Sequence, residues 1–373
     1  MTVSLCIIAY NEQSSLPKLL GDIALQTYPK DKTELVFVNS ASTDNTAEVF
    51  SEFAAQHENE YMSVQLLDNP ARSQASGWNK AISAAVGDVI IRIDAHASVP
   101  ADFTENNMKL IASGEYVCGG ARPSRIEQPT PYREMLLTAE SSMFGSSIAD
   151  YRRKSSGRRY VSSLFHSAYR REVFEKVGGF NTDLGRTEDN ELHYRIRRSG
   201  YMICCSDDII SYQNIRPTLS GMLKQKFGNG LWIGLTVGVC PECLSIFHFV
   251  PFCFVSAILI CIAAGIIGSL CGMPWLWLGL ALLGAAYAGA DLLMSVGALI
   301  TAEKKSAWLA LLPLVFFALH IIYGIGTLTG LFRMPFWKSR LTGSAQREIE
   351  NVKECVRKNT ESTEVNANGR GKS

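Results

Sequence analysis

The sequence has almost no excess charge of either sign. Its 36 lysine and arginine residues are balanced by 35 aspartate and glutamate residues, which leaves a net charge of +1 over 373 residues. Proteins that bind nucleic acid through its phosphates need a concentrated basic surface. The charge balance therefore argues against nucleic acid as a partner.

Charge of any kind is nearly absent from residues 247–332, where only Asp291, Glu303, Lys304 and Lys305 interrupt the apolar run. A helix needs about 20 apolar residues to cross the hydrocarbon core of a bilayer. Three stretches meet this requirement: residues 247–272, 275–300 and 307–332. We predict three transmembrane helices, with Asp291 of the second facing another helix or a polar cavity.

The basic residues beside these segments do not give one consistent orientation. By the positive-inside rule, Lys224 and Lys226 place the start of the first segment on the cytoplasmic side. Lys304 and Lys305 place the loop between the second and third segments on the same side. Three crossings would then export the basic residues that follow the third segment, namely Arg333, Lys338 and Arg340. Either one segment re-enters without crossing or the bias of the tail is overruled.

A second Cys-x-x-C pair is missing. Of the ten cysteines, only Cys240 and Cys243 have that spacing, whereas a structural zinc site needs four ligands. We therefore expect reduced thiols that pack near a helix entry. Residues 341–373 are polar and poor in aromatic side chains, which predicts a disordered tail.

Apolar runs alternate with helical periodicity in the N-terminal region. Strands are predicted at residues 3–9, 34–38, 64–67 and 88–93, and helices at 14–26, 46–56, 73–86, 169–177 and 188–199. This alternation predicts an α/β domain with a mainly parallel sheet, whose ligand binds at the carboxyl ends of the strands. Residues 121–160 lack a clear period and are predicted to be irregular or mobile.

Polar clusters follow three of the predicted strands: Tyr10-Asn11-Glu12, Asn39-Ser40 and Asp94-Ala95-His96. Any one of them is explained as a turn, because Asn and Asp are common turn residues. Three such loops on one edge of a sheet favour a binding crevice. Glu188 and Asp189 begin a predicted helix, where the helix dipole stabilises each charge by about 0.3–1 kcal/mol.

Six motifs in order carry a family resemblance: Ile8 to Glu12, Ser42 to Thr46, Asn69 to Gly77 with Asn79, Ile93 to His96, Val177 to Phe180, and Glu188-Asp189 with Leu192 and Arg195. Together they resemble the family 2 glycosyltransferases, among them the membrane-bound kind related to succinoglycan-biosynthesis enzymes. The resemblance covers roughly residues 3–232.

The resemblance implies a Rossmann-like GT-A fold, a nucleotide-diphosphate sugar donor and a divalent cation. Asp94 is the expected metal ligand, and His96 stands where the family usually has a second acidic residue. Imidazole suits Mn²⁺ better than Mg²⁺, so manganese is favoured but not required. The expected donor-binding residues are Ala9, Tyr10, Asn11, Glu12, Asn39 and Asp94.

The resemblance also implies inversion at the anomeric carbon, with Asp189 as the base and Glu188 positioning the acceptor or the loop. Direct displacement needs a base within hydrogen-bond reach of the acceptor hydroxyl. Asn39-Ser40 stands where the family commonly has Asp-Asp or Asp-Gly, so the nucleotide base stays open. Arg72 and Lys80 are candidates for phosphate contact.

The arginine of the processive Q-x-x-R-W motif is missing from the stretch between Gln225 and Trp232. We therefore predict transfer of a single sugar, and we expect Phe227 and Trp232 on an interfacial helix. The predicted domains are a glycosyltransferase domain at residues 1–232, interfacial and transmembrane helices at 233–340, and the tail.

These features predict an integral protein of the plasma or inner membrane, with its catalytic domain in the cytoplasm. The expected acceptor is a lipid-linked saccharide in polysaccharide biosynthesis, because a tethered enzyme meets a membrane-confined acceptor at high effective concentration. One alternative is a polyprenyl-phosphate monoglycosyltransferase. Another is an inactive membrane scaffold, which the departures at Asn39, Ser40 and His96 suggest.

Overall fold

The computed structural model describes residues 1–145 and 157–370, which form two compact units. The first unit contains the described residues of 1–123, 153–213 and 341–373. The second contains those of 124–152 and 214–340. Each unit has its own secondary structure and core.

The strands are, in chain order, β1 (Val3–Ala9), β2 (Thr33–Asn39), β3 (Ser63–Asp68), β4 (Val89–Asp94), β5 (Ala97–Ser98), β6 (Val117–Ala121), β7 (Ser124–Arg125), β8 (Arg158–Tyr160), β9 (Ser167–Arg170), β10 (Ile203–Ile210) and β11 (Tyr212–Asn214). The α-helices are α1 (Leu16–Ala24), α2 (Thr46–His57), α3 (Gln74–Ala84), α4 (Phe103–Ala112), α5 (Pro131–Ser141), α6 (Arg171–Val177), α7 (Glu188–Arg198), α8 (Leu219–Thr236), α9 (Val250–Leu270), α10 (Trp277–Thr301), α11 (Leu312–Lys338) and α12 (Ser344–Arg370).

An eight-stranded sheet in the order β3-β2-β1-β4-β9-β6-β10-β8 forms the centre of the first unit. Strands β1 to β4 pair in parallel, β6 pairs in parallel with β10, and β8 and β9 run antiparallel to their neighbours. All seven residues of β1 are buried, as expected for a parallel strand covered on both faces. The predicted mainly parallel α/β sheet is confirmed.

The register of β1 aligns the carboxyl ends of three strands. Ala9 pairs with Asn39 at the end of β2, and Ile8 pairs with Asp94 at the end of β4. The polar loops that follow these strands therefore begin at the same edge of the sheet.

Helix α5 lies in the stretch predicted to be irregular, so that prediction was wrong at Pro131–Ser141. The Thr130 hydroxyl accepts a hydrogen bond from the amide of Arg133 at 3.2 Å, and Pro131 occupies the first turn. A threonine cap followed by proline is a helix-start signal that the density of polar residues concealed. Residues 146–156 of the same stretch lie outside the described residues.

Three helical segments of the described chain are long and apolar enough to cross a membrane: Ile246–Leu270, Pro274–Thr301 and Ala307–Lys338. They agree with the predicted segments, although the third extends six residues further, from 332 to 338. The predicted domain end at residue 232 falls inside α8, which continues to Thr236.

Glycines bring α8 and α11 into backbone contact within the second unit. A Cβ added at Gly230 would lie 2.2 Å from the Tyr323 carbonyl oxygen, and one at Gly330 would lie 2.2 Å from the Leu231 carbonyl oxygen. A Cβ at Gly234 or at Gly326 would lie 2.4 Å from a carbonyl oxygen of the other helix. Each helix thus presents two glycines four residues apart, the spacing that lets membrane helices approach closely. The predicted interfacial helix is therefore packed along an apolar one.

The predicted disorder of residues 341–373 was wrong for most of the tail, because α12 is a helix with a buried face. Ala345, Ile349, Val352 and Val356 are each 3 % exposed or less. Their spacing places one apolar stripe on the helix, which the polar composition had hidden. Residues 371–373 lie outside the described residues.

The contact between α8 and α11 predicts that Gly230→Ala destabilises the second unit, since the added methyl group has no room beside Tyr323. We expect a loss of about 1–3 kcal/mol, the usual cost of overpacking, seen as a lower melting temperature of the detergent-solubilised full chain. The matched control is Gly284→Ala on α10, where a Cβ meets nothing within 4 Å. Equal melting temperatures for the two variants would contradict this packing.

Candidate functional site

The loop after β1 is fastened to the loop after β2. The Asn11 side-chain oxygen accepts a hydrogen bond from the Thr43 amide at 2.8 Å, and the Glu12 amide donates to the Thr46 hydroxyl at 2.8 Å. Asn11 has a φ of 55°, in the left-handed region that asparagine tolerates better than most residues. The loops after β1 and β2, which carry two of the sequence motifs, therefore form one connected structure at this edge of the sheet. We call this structure the rim.

Asn39 and Ser40 are held in the same rim. The Asn39 side-chain oxygen accepts from the Ser42 amide at 3.1 Å, and the Ser40 amide donates to the Ala9 carbonyl at 2.8 Å. The Asn69 side chain donates to the Ser40 hydroxyl at 3.1 Å. Because the side-chain oxygen of Asn39 already accepts this hydrogen bond, its side-chain NH2 group is the stronger candidate for contact with a ligand.

Tyr10 and Arg72 lie at the exposed margin of this rim. Tyr10 is 45 % exposed, and the guanidinium carbon of Arg72 lies 5.9 Å from the centre of its ring. Lys80 is exposed on α3 and has no polar contact with the other candidate residues in the described part of the chain. The structure thus brings Arg72, but not Lys80, next to a predicted donor-binding residue.

His96 connects the end of β4 to the loop after β1. Its Nδ1 lies 3.2 Å from the Glu12 carboxylate, which also accepts from the Ser15 hydroxyl. Burial alone would raise the pKa of Glu12, but the hydrogen bonds from His96 and Ser15 outweigh it and lower the pKa. Glu12 is therefore an anion beside the expected metal ligands.

Asp94 is buried at the end of β4, beside the imidazole ring of His166. The His166 Nε2 lies 3.8 Å from Asp94 Oδ2, while its Nδ1 is 2.8 Å from the Ser211 hydroxyl. Burial favours a neutral Asp94, but His166, His96 and Arg92 together outweigh that effect and lower the pKa of Asp94 below its ordinary range. Asp94 is therefore charged.

The other oxygen of Asp94, Oδ1, is buried and has no hydrogen-bond partner among the described residues. An unsatisfied buried carboxylate oxygen fits a divalent cation, which takes oxygen ligands. The described residues contain no cluster of three or more His, Cys, Asp or Glu side chains that could hold a metal. A cation at Asp94 would therefore need most of its ligands from phosphate and water, as Mg²⁺ sites commonly do.

Arg92 ties Asp189 to the strand that carries Asp94. Its guanidinium forms an ion pair with the Asp189 carboxylate and donates to the Phe165 carbonyl at 2.8 Å. The centres of the Trp78 and Phe180 rings lie 5.0 and 5.2 Å from its central carbon. Burial would lower the pKa of Arg92, but the charge of Asp189 outweighs it and raises the pKa, so the arginine stays charged.

Glu188 and Asp189 occupy different environments at the start of α7. The Asp189 side chain is 17 % exposed, whereas Glu188 is 2 % exposed and its Oε2 has no hydrogen-bond partner among the described residues. Burial and then repulsion from Asp189 raise the pKa of Glu188 well above its usual range. Asp189 is thus the accessible anion of the pair, and Glu188 is predominantly a neutral acid.

Sequence reasoning missed Arg92 altogether and gave His166 no defined role. The signal for Arg92 was present, since it is the charged residue within the apolar run from Val89 to Ile93 of β4. A buried arginine needs an anionic partner to offset its desolvation. The sequence did not indicate which of the many carboxylates that partner is.

Comparison with known proteins supports the fold and the family. The model of the family described as Glycosyl transferase family 2 matches residues 4–178. The succinoglycan biosynthesis protein ExoA of Rhizobium meliloti (strain 1021) is 28 % identical over 236 residues, which cover 61 % of this chain and 68 % of that protein. A dolichyl N-acetyl-alpha-D-glucosaminyl phosphate 3-beta-D-2,3-diacetamido-2,3-dideoxy-beta-D-glucuronosyltransferase of Methanococcus voltae is 24 % identical over 337 residues, or 89 % of this chain and 97 % of that protein.

Among solved structures, the mannosyltransferase PcManGT from Pyrobaculum calidifontis, in complex with GDP-Man and Mn²⁺, has a similar fold. Its TM-score is 0.52 at 22 % identity, and the alignment covers 86 % of each chain. The expected GT-A fold is thereby confirmed.

The raised pKa of Glu188 predicts a pH-dependent stability. A carboxyl group whose folded-state pKa is raised stabilises the fold below its ordinary pKa of 4.5, and this stabilisation is lost as the pH rises through the folded-state pKa. Glu188→Gln keeps the neutral form at every pH, so its melting temperature should fall less than that of the wild type between pH 5 and pH 8.5. The control is Glu354→Gln at an exposed position of α12. Parallel melting curves for Glu188→Gln and wild type would refute a buried neutral Glu188.

Proposed function

Because the chain is a family 2 glycosyltransferase, with the family domain at residues 4–178, we propose that it transfers a single sugar from a nucleotide-diphosphate sugar to a lipid-linked saccharide. The observation that carries the proposal is that one strand, β4, carries both Asp94 and Arg92, the ion-pair partner of Asp189. The aligned ends of β1, β2 and β4 supply the loops for the donor. In this proposal, the base that deprotonates the acceptor therefore lies next to the donor site.

The donor site in this proposal is the rim formed by the loops after β1 and β2. Ala9, Tyr10, Asn11, Glu12 and Asn39 contact the nucleoside, with Tyr10 at the exposed margin. PcManGT, which shares the fold, is a GDP-mannose complex with Mn²⁺, and this supports a nucleotide sugar as ligand. Either a guanine or a uracil carbonyl is a suitable acceptor for the Asn39 amide group.

Asp94 and His96 would hold the divalent cation, for which Asp94 offers the unpaired Oδ1. When bound, the cation neutralises the charge that grows on the departing diphosphate. Glu12 holds His96 near the end of β4 through its 3.2 Å contact. Manganese suits this mixed set of a carboxylate and an imidazole.

Asp189 acts as the base in the proposed reaction. The acceptor oxygen forms a bond to the anomeric carbon as the bond from that carbon to the diphosphate oxygen breaks, and the hydroxyl proton passes to Asp189. Attack from the side opposite the leaving group inverts the anomeric configuration. Arg92 orients the carboxylate through the ion pair, while buried Glu188 fixes the start of α7.

The three apolar helices anchor the enzyme at the membrane of its acceptor, which we place at the plasma or inner membrane with the catalytic domain in the cytoplasm. The Methanococcus voltae relative, which matches 89 % of this chain, is named for transfer to a dolichyl phosphate-linked sugar. The Rhizobium meliloti relative is named for succinoglycan biosynthesis. Both names support a role in lipid-linked glycan or polysaccharide assembly.

Replacing Asp189 by asparagine should abolish transfer while donor binding persists. The amide cannot accept the hydroxyl proton, and loss of a positioned general base costs about 10²- to 10⁴-fold in rate. The rate is measured as nucleotide diphosphate released in the presence of a lipid-linked saccharide, and binding as nucleotide affinity by calorimetry. Asp31→Asn, at an exposed position, is the matched control. Normal turnover by Asp189→Asn would remove Asp189 from its role.

The proposed function is tested by supplying UDP-, GDP- and dTDP-sugars with Mn²⁺, with Mg²⁺ or with a chelator. We expect one donor class to be turned over, with Mn²⁺ supporting the fastest rate and chelation stopping it. Asp94→Asn should lose the stimulation by metal, since it removes the carboxylate whose unpaired Oδ1 would hold the cation. Full activity in the chelator would exclude the cation, and no turnover of any donor with lipid-linked acceptors would overturn the function.

A further inference from the structure

The C-terminal helix α12 is part of the fold of the first unit. Its buried face packs against α3, the helix that precedes β4 in the chain, and against α6, the helix that follows β9. The Asn359 side chain donates to the Ser83 carbonyl at 2.9 Å, close to the end of α3. The Thr360 hydroxyl donates to the Glu175 carboxylate of α6. Polar contacts thus hold the middle of α12, while buried apolar residues hold its first half.

The first third of α12 covers the pair of glycines that follows α6. A Cβ at Gly178 would lie 2.4 Å from the Ile349 carbonyl oxygen, and a Cβ at Gly179 would lie 2.7 Å from a Val352 methyl group. Gly178 also has a φ of 75°, which few other residues adopt without strain. The loop from Val177 to Phe180 is therefore shaped to receive this helix.

Asn79 of α3 connects α12 to the same loop. Its amide group donates to the Phe180 carbonyl at 2.9 Å and to the Glu348 carboxylate of α12 at 3.2 Å. Its side-chain oxygen accepts from the Phe180 amide at 2.6 Å. Asn79 is 2 % exposed, so these contacts are made in a buried setting where they are hard to replace with water.

Phe180 connects Asn79 to the ion pair that holds the proposed base. Its ring is fully buried, and the ring centre lies 5.2 Å from the guanidinium carbon of Arg92. Arg92 is the ion-pair partner of Asp189. A continuous set of contacts therefore leads from Glu348 through Asn79, Phe180 and Arg92 to Asp189.

We propose that Asn79 and Glu348 are positioning residues for the transfer reaction, through which the docked α12 holds Phe180 against Arg92 and so sets the orientation of Asp189. The inference rests on the proposed role of Asp189 as the base. In this inference, α12 contributes to the turnover number of the enzyme in addition to covering apolar surface. The side-chain hydrogen bonds between α12 and the rest of the described first unit reach α3, its C-terminal end and α6, and not Asp94 or the loops after β1 and β2. Changes in α12 should therefore leave donor affinity unchanged.

The test compares Glu348→Ala with Glu348→Gln in the detergent-solubilised full chain. Alanine removes the acceptor for the Asn79 amide group, whereas glutamine keeps a side-chain oxygen there. We expect Glu348→Ala to lower kcat about fivefold per folded molecule, the scale of one lost hydrogen bond, with the donor KM unchanged. Glutamine should restore kcat to within about twofold. Glu354→Ala, on the exposed side of the same helix, is the control and should match the wild type.

A second readout separates positioning from simple stability. Hydrogen exchange of the Phe180 amide, which donates to Asn79, should be faster in Glu348→Ala than in Glu354→Ala. If Glu348→Ala lowers the melting temperature but leaves kcat per folded molecule at the wild-type value, the helix is only a cover and the inference is wrong. The same conclusion follows if glutamine lowers kcat as much as alanine does.

Asp189→Asn belongs in the same experiment, because it distinguishes the two proposals. If Asp189→Asn is inactive and Glu348→Ala is normal, only the positioning role of α12 fails. If Asp189→Asn turns over normally, the proposed base fails and the inference built on it falls as well. Inactive wild type with every donor would overturn both.

Discussion

The buried ion pair between Arg92 and Asp189 is the constraint on which the site depends. An arginine inside a covered parallel strand cannot lose its charge, and it is tolerated only if an anion offsets the cost of desolvation. The side chain is 3 % exposed and lies against the rings of Trp78 and Phe180. The anionic partner of Arg92 must therefore come from another part of the protein. Asp189 is that partner, and the ion pair brings the start of α7 to β4. Removing either member would leave a buried charge unpaired.

The ion pair also explains how a charged carboxylate, Asp189, and a predominantly neutral carboxyl group, Glu188, lie beside each other. Asp189 is paired with the positive charge of Arg92 and keeps some exposure, while Glu188 is buried, and burial with repulsion from Asp189 outweighs the effect of Arg92 on its pKa. Asp94, two residues after Arg92 on the same strand, is stabilised as an anion by His166 and His96 despite its burial. One strand thus carries the proposed cation ligand, Asp94, and through Arg92 it holds the proposed base, Asp189, near the edge where the loops after β1 and β2 begin. This is the arrangement that a displacement with a diphosphate leaving group requires.

Much of the fold was predictable because it depends on local patterns. Apolar runs and helical periods predicted the first four strands, and the polar loops after them indicated the edge of the sheet at which we propose that the donor binds. What could not be predicted depends on partners far apart in sequence. Arg92 and Asp189 are 97 residues apart, and Asn79 and Glu348 are 269 apart. In α12, four apolar residues among many polar ones formed a stripe that composition alone hides. In α8, glycines that resemble linker residues proved to be contact points.

The central claim is that Asp94 and Asp189 act on one substrate complex at the end of β4. The most direct measurement is an experimental structure of the full chain with Mn²⁺, the nucleoside diphosphate of its donor and a lipid-linked acceptor. We expect the metal on Asp94, the nucleoside between the loops after β1 and β2, and the acceptor hydroxyl within hydrogen-bond reach of Asp189 while Arg92 stays paired with it. A diphosphate bound away from Asp94, or an acceptor hydroxyl out of reach of Asp189, would contradict the account.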